Sequence, residues 1–195
     1  MLNMKLATSI AAAGLYCFTA GVALAEEAHV APIKEYVAAN IDPWLSDATV
    51  VDAIKAQNAA NASITQADID KLDQDWRAQA TAGSKPMVDA VLGNALSKFL
   101  SEKKAASGDM ITEVFVTDAH GLNVGQSDVT SDYWQGDEAK WQKTFAMGPG
   151  AVFVDEVETD ESTQALQSQV SETIVDPATG EAIGAITIGI NLENL

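Results

Sequence analysis

Apolar residues recur at helical spacing over the first half of the chain and at alternate positions over the second. Ala31-Pro32 opens a first helix, with Pro32 in a permitted first-turn position and Ile33, Tyr36 and Val37 as its stripe. Asp42-Pro43 interrupts it. Ser46 is placed to cap a second helix carrying Val50, Val51 and Ile54 toward Gln57-Asn58. Thr65 caps a third, with Asp68 in the capping-box position and Ile69, Leu72 and Trp76 on one face. After Gly83-Ser84, Ser84 starts a helix over Pro86–Lys104, and Ser107-Gly108 stops it. Beyond Gly108 the period falls to two. Five strands are expected: Met110–Thr117, Leu122–Gln126, Ala151–Glu158, Ala165–Val175 and Glu181–Leu192.

Helices followed by an antiparallel sheet predict an α+β domain with N-terminal helices packed on one face of five strands. In the last strand Ile186, Ile188 and Ile190 share one face, and Ala185, Thr187 and Gly189 the other. The isoleucine face takes the helices. The small, partly polar face leaves room for something else. One long connection, 127–150, lies between strands two and three, contains a short helix at about Asp137–Thr144, and ends in Gly148-Pro149-Gly150. It is expected to cross the open face and close a cavity.

The start of the chain does not belong to this pattern. Lys5 is the single charge before Glu26, an apolar stretch of small residues follows it, and Ala23-Leu24-Ala25 is a cleavage signature. Residues 1–25 therefore read as a secretory signal peptide, with an N-terminal membrane anchor as the alternative. Cys17 has no lipidation motif around it and leaves with the leader, so disulfides and thiol chemistry are excluded from the mature chain. Residues 26–108 form its helical segment and 109–195 its sheet. Of 195 residues, 28 are Asp or Glu and 11 are Lys or Arg, a net charge of −17. A basic patch for nucleic acid or anionic lipid is excluded, and no segment is expected to insert in a membrane after cleavage.

Candidate chemistry concentrates in Ser131-Asp132-Tyr133-Trp134-Gln135-Gly136-Asp137-Glu138, where aromatic rings stand among carboxylates. Aromatic faces beside placed polar groups are what small-molecule pockets are built from. The competing reading is that Tyr133, Trp134 and Trp141 are core residues capped by surface acids. No lysine or arginine lies between Asp118 and Glu138, so unpaired Asp132 and Asp137 beside the rings point to an amine or cation. Pairing of Lys140 or Lys143 with Asp137 would instead leave an ordinary satisfied core. The candidate ligand-binding set is Asp132, Tyr133, Trp134, Asp137, Trp141 and Thr187. Neither His29 nor His120 sits in a catalytic constellation, and no phosphate loop or metal motif occurs. The acids Asp155, Glu156, Glu158, Asp160 and Glu161 match no calcium-loop spacing. The expectation is a non-enzymatic protein without cofactor or metal.

Val114-Phe115-Val116-Thr117-Asp118-Ala119-His120-Gly121-Leu122-Asn123-Val124, the Asp132–Glu138 segment and Gly180-Glu181-Ala182-Ile183-Gly184-Ala185-Ile186-Thr187 together resemble the Cache (PDC) extracytoplasmic sensor domains. Ala53–Asn58 and Leu72–Arg77 also fit the small stand-alone periplasmic members. The resemblance implies a PAS-like sheet, a small metabolite held between sheet and long connection, and relay of occupancy to a membrane-bound transmitter protein. Many amino-acid-binding members use an arginine in the connection between strands two and three; here the single arginine is Arg77, in the helical part. Two other classes stay open: an accessory protein that uses the fold to bind a partner, and a hydrolase with carboxylate chemistry.

Overall fold

In a computed structural model of the chain, residues 27–159 and 165–195 are described. The leader and its cleavage site, and Asp160 and Glu161, lie outside them.

Among the described residues six helices precede the sheet: α1 (Val30–Asn40), α2 (Asp42–Leu45), α3 (Ala48–Ala60), α4 (Gln66–Ala80), α5 (Pro86–Leu92) and α6 (Ala95–Ala106). The strands are β1 (Ile111–Thr117), β2 (Asn123–Gln126), β3 (Val152–Thr159), β4 (Leu166–Val175) and β5 (Ala182–Asn191). A short α7 (Ala139–Gln142) and a 3₁₀ turn (Phe145–Met147) interrupt the long connection. All pairings are antiparallel and the order is β2-β1-β5-β4-β3. The expected PAS-like α+β architecture is therefore present, with the first and last strands adjacent in the middle.

Local chemistry explains most boundaries. Thr65 and Asp68 form a reciprocal capping box at α4. Three expectations need correction. The side chain that caps α3 is Asp47, not Ser46, accepting from the Thr49 N–H at 2.8 Å. Ser84 does not cap; Lys85 occupies that position before Pro86. The single helix expected over Pro86–Lys104 is two, because Gly93-Asn94 breaks it. Asn94 accepts from the Ser97 N–H at 2.8 Å and donates to the Val124 carbonyl at 2.8 Å, restarting the helix and pinning it to β2.

Ile186, Ile188 and Ile190 are fully buried against Ile33 and Val37 of α1, Val50 and Ile54 of α3, and Leu96 and Leu100 of α6. At Gly125 any Cβ would fall 2.6 Å from Leu96 Cγ, so glycine lets α6 lie directly on β2. Trp76, with no exposed surface, anchors a second cluster with Ile69, Val88, Leu122 and Tyr133.

Candidate functional site

The site is built outward from the β1–β2 turn. Asp118 is fully buried and accepts four hydrogen bonds. His120 and Leu122 N–H groups donate to Oδ1 at 2.8 and 3.0 Å, and the Gln57 and Asn61 amides to Oδ2 at 3.0 and 2.9 Å. The turn is thereby closed on itself and tied to α3. Asn58 adds two ties, accepting from the Ala119 N–H at 2.9 Å and donating to the Ile183 carbonyl at 2.7 Å. Lys55 reaches Asp176 in the β4–β5 turn at 2.6 Å. That contact, then the Ala178 N–H, holds the Asp176 carboxyl below the ordinary range.

The aromatic segment fastens onto the same turn. Leu122 and Trp134 form an antiparallel bridge. The Asn123 N–H donates to the Tyr133 carbonyl at 3.0 Å, and the Gln135 N–H to the Gly121 carbonyl at 2.7 Å. Trp134 Nε1 donates to the His120 carbonyl at 2.9 Å, and Trp141 Nε1 to the Asp118 carbonyl at 3.3 Å. Tyr133 stacks on Trp76 with centroids 5.3 Å apart, while Trp141 stacks on Phe145 at 5.2 Å. The three rings thus have separate partners. Tyr133 turns to the helix side, and the two indoles act as braces on the turn.

The expectation of an unpaired Asp132 is corrected. Arg77 Nη2 lies 3.5 Å from Asp132 and its Nε 2.7 Å from Asp73. Asp73 also accepts from the Tyr133 and Trp134 N–H groups at 2.9 and 3.1 Å. Contact with Asp73 first, and the charges of Asp132 and Asp137 in addition, hold the Arg77 guanidinium above its ordinary range. Lys140 pairs with Glu138 at 2.8 Å. Asp137 is exposed.

The connection does cross the open face of the sheet. A cleft of about 450 Å³ lies there, between β1 and β4 on one side and residues 128–131 and Lys140 on the other. Glu113 and Phe115 of β1, Gln167 and Gln169 of β4, and Glu158 of β3 project into it. Gln169 donates to Glu113 at 2.7 Å, Gln167 donates to Glu158 at 3.2 Å, and Thr112 donates to Gln167. Lys140 sits 5.5 Å from the Phe115 ring centre, and Asp128 is held by Lys104 at 2.6 Å. Thr187 lies on this face, paired with Phe115 in register and 2.9 Å from Ser171 Oγ. Of the six predicted residues, Thr187 shares the face, Tyr133 lines a different cavity, and the others brace or flank the turn. Glu113, Gln167 and Gln169 were missed. Their signal was the polar alternation Gln167, Gln169, Ser171, Thr173 facing away from the isoleucines.

No family model matches the chain, and no curated protein matches it. Solved structures similar to it include the sensor domain of the V. cholerae histidine kinase DctB, 14% identical with a TM-score of 0.48. That match covers 84% of this chain and 50% of the other. The ligand-binding domain of the Campylobacter jejuni chemoreceptor Tlp3 in complex with 4-methylisoleucine is 13% identical, with a TM-score of 0.40, over 79% of this chain and 64% of that one. An extracellular ligand binding receptor from Desulfohalobium retbaense is 12% identical, with a TM-score of 0.38, over 73% and 24%. The chain spans half of the DctB sensor domain and less than two thirds of the Tlp3 domain. The first two are a sensor domain and a ligand-binding domain. The PAS-like sheet itself stands on the strand order.

Proposed function

We propose that the chain is an extracytoplasmic sensor module that binds a small amine in the open-face cleft and signals through a separate membrane-bound partner. The observation that carries this reading is the cleft between sheet and connection, where Glu113, Asp128 and Glu158 face one lysine. Lys104 holds Asp128, and the lysine in the cleft, Lys140, already has Glu138. Glu158 accepts from the Gln167 amide and Glu113 from the Gln169 amide, so both carboxylates are oriented within the cleft. Charge-assisted hydrogen bonds from an ammonium group complete such a site. Among the described residues, no group of three His, Cys, Asp or Glu could hold a metal, and no helix is long and apolar enough to cross a membrane.

Calorimetry with a panel of primary amines, and with neutral and acidic metabolites as controls, tests the ligand. An amine is expected to bind, to raise the melting temperature, and to bind roughly tenfold more weakly to Glu113→Gln or Glu158→Gln. Binding of an acid alone, or amine affinity unchanged in both variants, rejects the reading.

A partner-binding accessory role is the second reading. Edge strand β3 favours it: Val152 and Val157 are exposed there, on a strand whose outer edge has no paired neighbour among the described residues.

A further inference from the structure

Strand β3 ends one side of the sheet, and its outer edge pairs with no other strand among the described residues. The register divides its side chains between two faces. Val152, Val154 and Val157 stand opposite Glu172, Val170 and Ser168. Val170 and Ser168 in turn stand opposite Ile188 and Ile190, so the three valines share the isoleucine face. Val154 packs against the main core. Val152, Val157 and the neighbouring Leu166 carry the same face on into solvent, 43%, 44% and 47% exposed.

The other face is acidic. The register breaks between Val154 and Val157, so Asp155 and Glu156 together oppose Gln169, and Glu158 stands opposite Gln167. Glu156 and Glu158 are exposed. The strand itself contains no lysine or arginine, and Lys143 sits at its other end, 4.0 Å from the Phe153 ring centre. Acids and a bulge on an edge strand discourage pairing with a like strand. Antiparallel pairing of two copies about the middle of β3 would set Asp155 of each against Glu156 of the other, in a chain of net charge −17. Like charges directly opposite destabilise a strand pair, while opposite charges stabilise it. A second copy is therefore the wrong occupant, and a strand of basic character is the right one.

We propose that the β3 edge is the docking surface for an extended segment of a partner protein, with apolar side chains on one face and Lys or Arg on the other. The segment adds a strand to the sheet, and its main chain pairs with the open edge. Its apolar side chains cover Val152, Val157 and Leu166, and its basic ones meet Glu156 and Glu158. The acids thus reject a second copy and select a partner by the sign of its charge. The proposal rests on the reading that the chain works through a separate protein, and it assigns that contact its place and chemistry.

The test uses the full chain and two capped peptides matched to the 8-residue length of β3, one alternating lysine with valine and one alternating glutamate with valine. Amide chemical shifts are followed during titration, and sedimentation reports self-association. The lysine peptide is expected to bind saturably, with shifts centred on residues 152–159, and the glutamate peptide not to bind. Glu156→Lys and Val157→Thr alter exposed side chains and should each weaken the lysine peptide roughly fivefold. Four results overturn the proposal: no saturable binding of the lysine peptide, equal binding of both peptides, shifts centred on Glu113 and Gln169 of the cleft, or affinity unchanged in both variants. Self-association of the chain with shifts on β3 assigns the edge to a second copy and overturns it as well. Amine calorimetry on Glu156→Lys should match wild type. A chain that binds an amine and no lysine peptide loses the β3 assignment alone, so the two readings fail separately.

Discussion

The indole N–H of Trp134 donates to the carbonyl of His120 across 2.9 Å, and Gly136 is the residue that lets it do so. A Cβ at Gly136 would fall 2.3 Å from Trp134 Nε1 and 3.0 Å from the His120 carbonyl. Gly136→Ala should therefore displace the indole and destabilise the fold by about 1–3 kcal/mol. Trp134→Phe removes the same bond by another route. The double variant should lose less than the sum of the two single losses, because the sites share one interaction. Urea denaturation of the four proteins checks this; strict additivity contradicts the brace.

Asp118 is the other half of the turn. Its two oxygens accept four donors, and an amide offers a single oxygen for them. Asp118→Asn should cost about 2–4 kcal/mol, the scale for hydrogen bonds to a buried charged group. Hydrogen exchange should accelerate first at the His120 and Leu122 amides. Exchange that accelerates uniformly across the sheet instead would mean the turn is not a separate unit.

Arg77 and Asp73 separate charge from hydrogen bonding. The Arg77 side chain is 57% exposed, so Arg77→Gln should cost below about 1 kcal/mol, as exposed ion pairs do. Asp73 is buried and holds the Tyr133 and Trp134 N–H groups. Asp73→Ala should cost about 2–3 kcal/mol, since it strands both donors. Thermal unfolding of the two variants ranks the effects; an equal or larger loss for Arg77→Gln would show that the ion pair dominates.

Glu172 on β4 predicts a pH dependence. Burial, then the charge of Asp42 and a hydrogen bond to it, push its carboxyl from 4.5 up to about 7. The folded state then binds the proton more tightly than the unfolded one. Its contribution is fully present below the unfolded value and is lost as pH rises from about 4.5 through about 7. Glu172 is part-exposed, so the screened effect is on the order of 1–2 kcal/mol. Glu172→Gln should flatten the stability profile across that window and raise stability at pH 8. A profile unchanged by the substitution removes Glu172 as its source.

Much of the architecture was legible in local pattern. The change of period at Gly108, the Thr65–Asp68 box, the isoleucine face of β5 and the five strands follow from neighbours within a few residues, which is the range over which caps and side-chain alternation act. The crossing of the open face by the 127–150 connection followed from those faces. Tertiary packing decided the rest. Arg77 lies 55 residues before Asp132, yet it reaches that acid, which looks unpaired in sequence. Tyr133 and Trp141 are eight positions apart but stack on different partners, because Trp76 on α4 takes one ring and Phe145 the other. The break at Asn94 depends on a carbonyl of β2, thirty residues on. The cleft residues Glu113, Gln167 and Gln169 meet only because β1 and β4 both pair with β5, an order set by burying the isoleucine face under three helices and not by any motif along the chain.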